Sequence, residues 1–258
     1  MPPLSFFDLL LLVLVFFVTS AIGVVTGSNS LITVPVMFQF GIDPKVAVAT
    51  NMFGLTFLSI GAAIPFTGKG VFDRKRIPLL VLLTVIGSAL GAVLVVLIST
   101  RIMPLIISVS MIAITLFSIF QRKSGIEKKG APSKSLELAA YVLTFALGIY
   151  GGLFSGGYVT LLTVVFVAFL GHTYTEAIAN TKLINVFSSL IATVIFAWQG
   201  LIDYSLGLIL AVTMFVAAFF GAKFVTKMSD IWLRRIFLAT VFLLAAKILF
   251  LDVLRLGN

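Results

Sequence analysis

The sequence predicts an all-α polytopic membrane protein: two inverted repeats of about five helical segments each, with the second segment of each repeat short or broken. Three observations carry this. The 258 residues are 60% hydrophobic and 10% charged, with a mean hydropathy of +1.22, whereas a soluble chain carries roughly 25% charged residues. Residues 78–100 and 102–121 contain no charge, and each exceeds the roughly 20 residues that cross a hydrocarbon core. Finally, the chain repeats itself. Displaced by 130 positions, Gly27 falls on Gly157, Thr33 on Thr163, Gly41 on Gly171, Ala47 on Ala177, Gly70 on Gly200, Asp73 on Asp203 and Gly91 on Gly221. Continuous apolar runs exclude a β-barrel, whose strands alternate polar and apolar residues.

The elements follow in order. Apolar segments at 4–26, 31–40, 44–66, 77–98 and 102–121 make up a first transmembrane repeat, residues 1–121. A polar cytoplasmic linker, 122–135, precedes the second repeat, 136–258, whose segments are 136–154, 158–170, 174–197, 205–226 and 231–254. The first segment lacks a basic leader and carries only Asp8, so it reads as a membrane helix rather than a cleaved signal peptide. The second segment of each repeat has ten to thirteen residues and reaches only about 15–20 Å, against a core of about 30 Å. It either folds back as a re-entrant hairpin or completes a broken crossing.

Orientation follows from Lys and Arg. The linker holds Arg122, Lys123, Lys128, Lys129 and Lys134, and the loop two crossings earlier holds Lys69, Arg74, Lys75 and Arg76. The equivalent second-half loop, 198–204, has no Lys or Arg, whereas Lys227, Arg234 and Arg235 stand opposite the single Arg101. The bias changes sides between the halves, as an inverted repeat requires. Both termini are then expected outside, in a multi-pass inner (plasma) membrane protein. The net charge of +9 is thus a topology signal, not a nucleic-acid footprint.

Composition also excludes chemistry. With no cysteine and only His172, thiol exchange, disulfides and multi-histidine metal sites are out. No Ser-His-Asp or paired-carboxylate set appears, so no enzyme, no metal and no cofactor are expected. The expected partners are a small anionic substrate and membrane lipid. The sequence also allows a homodimer.

Two constellations carry the candidate site. Gly23-Val24-Val25-Thr26-Gly27-Ser28-Asn29-Ser30 and Gly151-Gly152-Leu153-Phe154-Ser155-Gly156-Gly157-Tyr158 break a helix at membrane depth, which is tolerated only against protein or a water-filled cavity. A new helix starts after each break, and its free N–H groups and dipole favour an anion. The alternative is that these glycines only permit close packing. The second constellation is Ala47-Val48-Ala49-Thr50-Asn51 with Ala177-Ile178-Ala179-Asn180-Thr181-Lys182. An ammonium in an apolar helix must face the interior or water. Ser28, Asn29, Ser30, Thr50, Asn51, Ser155, Gly156, Gly157, Asn180, Thr181 and Lys182 are therefore the expected substrate-binding residues. Lys223 and Lys247 read as snorkelling or packing residues. Asp43, Asp73, Glu176 and Asp203 read as caps, and Gln39 and Gln199 as helix-end polar residues. His172 reads as a solvated turn residue, although its ordinary pKa suits a proton-linked step.

These residues resemble the TauE/SafE sulfite-exporter family of membrane anion transporters. Such proteins show a glycine-rich break, a proline after it (Pro35 here), and a segment matching Gly41-Ile42-Asp43-Pro44-Lys45-Val46-Ala47-Val48-Ala49-Thr50. They also show a second glycine cluster (Gly148, Gly151, Gly152), an Ala-rich segment ending in Lys182, and a Gly-x-x-Asp loop (Gly200 to Asp203). The family's first break is often three glycines, whereas here it is Gly-Ser-Asn-Ser. The resemblance covers nearly the whole chain. It implies a secondary transporter that moves sulfite, organosulfonates or related small anions by alternating access. The alternative function is a passive anion channel, or a permease for small carboxylates or other anions.

Overall fold

The computed structural model describes residues 5–27, 29–103, 105–107, 109, 132–229, 231–233, 235, 236 and 239. Most of the expected linker (122–131), and nearly all of segments 102–121 and 231–254, lie outside the described residues.

Eight α-helices are described: α1 (Phe6–Thr26), α2 (Ser30–Gln39), α3 (Pro44–Ala63), α4 (Ile77–Leu97), α5 (Lys134–Leu153), α6 (Tyr158–Phe169), α7 (Tyr174–Trp198) and α8 (Tyr204–Val225). A 3-10 turn, Ile64–Phe66, extends α3. Six of them are long and apolar enough to cross a membrane; α2 and α6 are the short ones. The boundaries have local causes. Ser5 with Asp8 and Thr173 with Glu176 form capping boxes, and Asp43, Ser133 and Asp203 accept first-turn N–H groups, satisfying donors that a helix start leaves orphaned. Pro44 and Pro78 sit in first turns, where a missing N–H costs nothing. The expected cap role of Asp43, Glu176 and Asp203 is thus met.

Hydrogen bonds identify two ends of the bundle. At the first, Lys45 at the start of α3 donates to the Val96 carbonyl at the close of α4, and Thr50 accepts the Asp203 N–H that precedes α8. At the second, Asp73 and Arg76 before α4 meet Glu137 of α5 and His172 before α7. Helix α1 lies along α8 with Ala21 against Gly221, late in both helices, so the two run parallel from the first end. Helix α2 returns to that end through Asp43. Helix α5 starts at the second end, and α6 returns there through His172. The short segments therefore fold back as re-entrant hairpins, α1–α2 from one end and α5–α6 from the other.

The principal helix pairings survive exchange of the two halves. Helix α4 packs on α5 as α8 does on α1, and α3 packs on α8 as α7 does on α4, with α3 against α7 at the centre. Among the six long helices α3 is the most enclosed, and α1 is among those that expose most of their length. Small residues permit the closest approaches. A Cβ on Gly91 would run into the Ile149 carbonyl, and one on Gly152 into the Ser88 carbonyl, which is how membrane helices pack without a solvent-driven hydrophobic effect. Outward faces carry exposed Phe6, Leu14, Leu82, Val142, Val212 and Phe220, the surface a helix presents to lipid.

Candidate functional site

The two breaks are where the hairpins turn, and their tips touch. Gly27 closes α1 in the left-handed region, φ 70°, and its N–H returns to the Gly23 carbonyl. A side chain is excluded there twice over: by that φ and by the first turn of α6, since a Cβ would lie 2.7 Å from the Thr160 nitrogen. Thr160 donates its hydroxyl to the Thr26 carbonyl at 2.5 Å, satisfying one of the carbonyls that α1 leaves unpaired. In the second break Gly157, φ 76°, starts α6, and the Tyr150 hydroxyl donates to the Gly156 carbonyl at 2.5 Å. A Cβ on Gly156 would meet the Phe154 ring and come within 2.8 Å of Leu31 on α2. Ser155 is buried in the same turn.

Lys182 reaches this junction from α7. It is 2% exposed, and its Nζ donates to the Gly23 carbonyl at 2.7 Å. The acceptor belongs to the last turn of α1, where the helix dipole presents partial negative charge. No carboxylate pairs with Lys182 among the described residues. A buried ammonium held only by a carbonyl and a dipole lacks full compensation.

Around the first break, the Asn51 amide links two helices. Thr33 donates to its Oδ1 at 2.8 Å, and its Nδ2 donates to Ser30 Oγ at 2.9 Å. Asn29 donates to Ser20 Oγ at 3.2 Å, while its buried Oδ1 has no partner among the described residues. In the second half Thr181 and Thr163 face each other at 3.5 Å, the positions that the 130-residue displacement aligns with Asn51 and Thr33. Of the expected site residues, Asn29, Ser30, Asn51, Ser155, Gly156, Gly157 and Lys182 thus gather at the tips, with Thr181 on the adjoining helix face. Ser28 lies outside the described residues.

Thr50 and Asn180 stand apart from this group. Asn180 Oδ1 accepts the Asp73 N–H at 2.9 Å, and its Nδ2 donates to the Val71 and Glu176 carbonyls at 3.1 and 2.6 Å. Thr50 Oγ1 accepts the Asp203 N–H at 3.1 Å. Each side chain pins the Gly-x-x-Asp loop of the opposite half. Gln39 and Gln199 are exposed at helix ends, and Lys223 is exposed in the last turn of α8.

Two expectations need correction. His172 is buried rather than solvated: its Nε2 lies 3.2 Å from Asp73 Oδ2, and its ring stands edge-on to Phe166. Since a carboxylate only accepts, Nε2 carries the proton in the neutral ring. Burial pushes this imidazole below its ordinary value, and Asp73 offsets part of that. Asp73, in turn, is more than a cap. It accepts Arg76 Nη1 at 2.7 Å, while Arg76 Nε binds Glu137 at 2.6 Å. Burial alone would raise the Asp73 carboxyl, but the hydrogen bonds from Arg76 and His172 prevail and hold it below the usual carboxylate range. Sequence reasoning also missed Ser20, the Gly23 carbonyl, Thr33 and Thr160 as parts of the site. The one available signal was the repeat register, which aligns Ser30 with Thr160 and Thr33 with Thr163.

Comparison with known proteins agrees with this architecture. The chain is 28% identical over 234 residues to a probable membrane transporter protein of Haemophilus influenzae, covering 91% of each chain. It is 27% identical over 250 residues to the probable membrane transporter protein YfcA of Escherichia coli K12, covering 93% of this chain and 90% of that one. It is also 27% identical over 228 residues to the probable membrane transporter protein ORF9 of a Sinorhizobium species, covering 87% and 85%. No solved structure matches. The profile of the sulfite exporter TauE/SafE family matches residues 12–248. With crossing helices, paired breaks and a match along almost its whole length, this chain belongs to the sulfite exporter TauE/SafE family of membrane transporters.

Proposed function

We propose that this chain is a secondary transporter that carries small anions, such as sulfite, organosulfonates or related species, across the inner (plasma) membrane by alternating access between two inverted halves. The observation that supports this reading is Lys182, an ammonium without a carboxylate partner among the described residues, placed where the tips of two broken helices meet. A substrate anion supplies the charge this site lacks. Helix starts at Asn29 to Ser30 and at Gly157 add backbone donors, and Ser30, Asn51, Ser155, Gly156 and Thr181 shape the pocket. Access alternates because each end is closed by one half's polar side chain on the other half's loop, Thr50 on Asp203 and Asn180 on Asp73. Releasing one contact opens one end while the other stays shut.

The test is ligand-induced thermal stabilisation of the purified chain with sulfite, sulfate, thiosulfate, sulfoacetate, taurine and simple carboxylates, since a ligand that binds only the folded state raises its stability by mass action. Stabilisation by a sulfur oxyanion or sulfonate, lost in Lys182→Met at near-normal folded yield, supports the assignment. Unchanged binding in that variant sinks it. Conductance without saturation in a bilayer would favour the passive channel. The topology has its own test: a reporter active only in the cytoplasm gives signal when fused after Ser124 and none after Asn258, and signal from both excludes the inverted arrangement.

A further inference from the structure

Helix α7 carries a row of buried polar side chains beyond Lys182: Asn185, Ser188, Ser189 and Thr193. Residues three and four apart share a helix face, so Asn185 stands one turn from Lys182 on the side away from the second end. Asn185 is 2% exposed, and its Nδ2 donates to Ser59 Oγ of α3 at 2.7 Å, across the central helix pair.

The repeat supplies the control. The 130-residue displacement aligns Thr50 with Asn180, Asn51 with Thr181 and Ser59 with Ser189, where polar residues meet polar ones. Elsewhere along the row the first half is apolar: Lys182 falls on Met52, Asn185 on Leu55, Ser188 on Leu58 and Thr193 on Ala63, and all four first-half residues are buried. The fold thus accepts apolar side chains at these places, and of the four, Lys182 carries the charge and Asn185 the amide. A cation and an amide in a membrane interior are costly and are kept where they act. Here both costs fall one turn apart on one helix of one half.

Resting on the anion-site reading above, we propose that Asn185 is a further substrate-contacting residue: its Nδ2 donates to the bound anion beside Lys182, and Ser59 holds that amide only while the site is empty. Binding exchanges a neutral acceptor, the Ser59 hydroxyl, for an anionic one, and hydrogen bonds to charged groups are the stronger kind.

Two single variants of the full chain in detergent, titrated with methanesulfonate and with sulfite, test this. Asn185→Leu installs the residue of the equivalent position; affinity falls about tenfold or more, the worth of one hydrogen bond to a charge, with little change in apo melting temperature. Ser59→Ala frees the amide, and affinity rises about twofold or more. A purely structural brace would instead lower the melting temperature in both variants and leave affinity alone, and that result overturns the proposal. So does parent-like affinity in Asn185→Leu. If Asn185→Leu does not fold, Ser59→Ala decides: a rise supports the proposal, and unchanged or lower affinity overturns it. Lys182→Met separates the two readings, because its retaining affinity would refute the anion site itself, whereas loss there with parent-like Asn185→Leu refutes only the role of Asn185. A parent that binds neither probe overturns both.

Discussion

The two halves of this molecule are built on one plan and differ in where they put charge. Both halves break a long helix at glycine, turn back through a short one, and pin the opposite half's loop with a polar side chain two turns into the next helix. But Asn180 makes three hydrogen bonds where Thr50 makes one. The second end adds a network of Asp73, Arg76, Glu137 and His172, whereas at the first end Lys45 caps a carbonyl. The junction takes its cation from the second half alone, with Met52 at the equivalent place in the first. Symmetric backbone contacts give two related ends. Unequal side chains make the two ends differ in the number of polar contacts that hold them.

The largest expected effect tests the shared plan. Gly91 and Gly221 hold equivalent close approaches, to the Ile149 carbonyl and at 2.6 Å to the Ala21 carbonyl. Gly91→Leu and Gly221→Leu should each cost about 3 kcal/mol or more through overpacking, read as lost folded yield in size-exclusion chromatography. If either variant melts like the parent, the helices there are not in register. Next comes the charge difference. Lys182→Met abolishes measurable anion binding, and adding Met52→Lys to it does not restore binding, because the Gly23 carbonyl that holds the ammonium belongs to the first half and is reached from α7, not from α3; restoration would show the halves to be interchangeable.

Smaller effects probe the loops. Asn180→Leu strands the Asp73 N–H and the Val71 carbonyl and should cost about 2 kcal/mol, whereas Thr50→Val strands one N–H and should cost about 1 kcal/mol. Equal losses in thermal melts would remove the difference between the ends. The smallest effect is with pH. The lowered His172 value means that the unfolded chain takes up protons first as pH drops through about 6.5, so stability is full above that value and declines below it. Asp73, also lowered, adds a loss in the same direction at more acid pH. Melting temperature should therefore fall between pH 7.5 and 5.5, and fall less in His172→Gln, which keeps a donor for Asp73 without titrating. Identical slopes would remove His172 from the cause.

The prediction of helical segments succeeded where causes are local. Hydropathy places a segment in lipid whatever its neighbours are, so 44–66 and 174–197 came within a residue or two of α3 with its 3-10 turn and of α7. Glycine breaks a helix by its own backbone freedom, so Gly27 and Gly157 marked the hairpin tips. The repeat register was visible because both halves answer the same packing demands. What tertiary structure alone decided is which polar group each side chain meets. Asn180 and Lys182 are two residues apart and looked equally suited to a ligand, yet a helix turns about 100° per residue and sends them to different partners. One is consumed by a loop 107 residues away, and the other reaches a carbonyl 159 residues away. His172 and Asp73, 99 residues apart, read as ordinary turn and cap until docking brought them together. Such contacts depend on helix rotation and depth against distant partners, and those are settled only when the whole bundle closes.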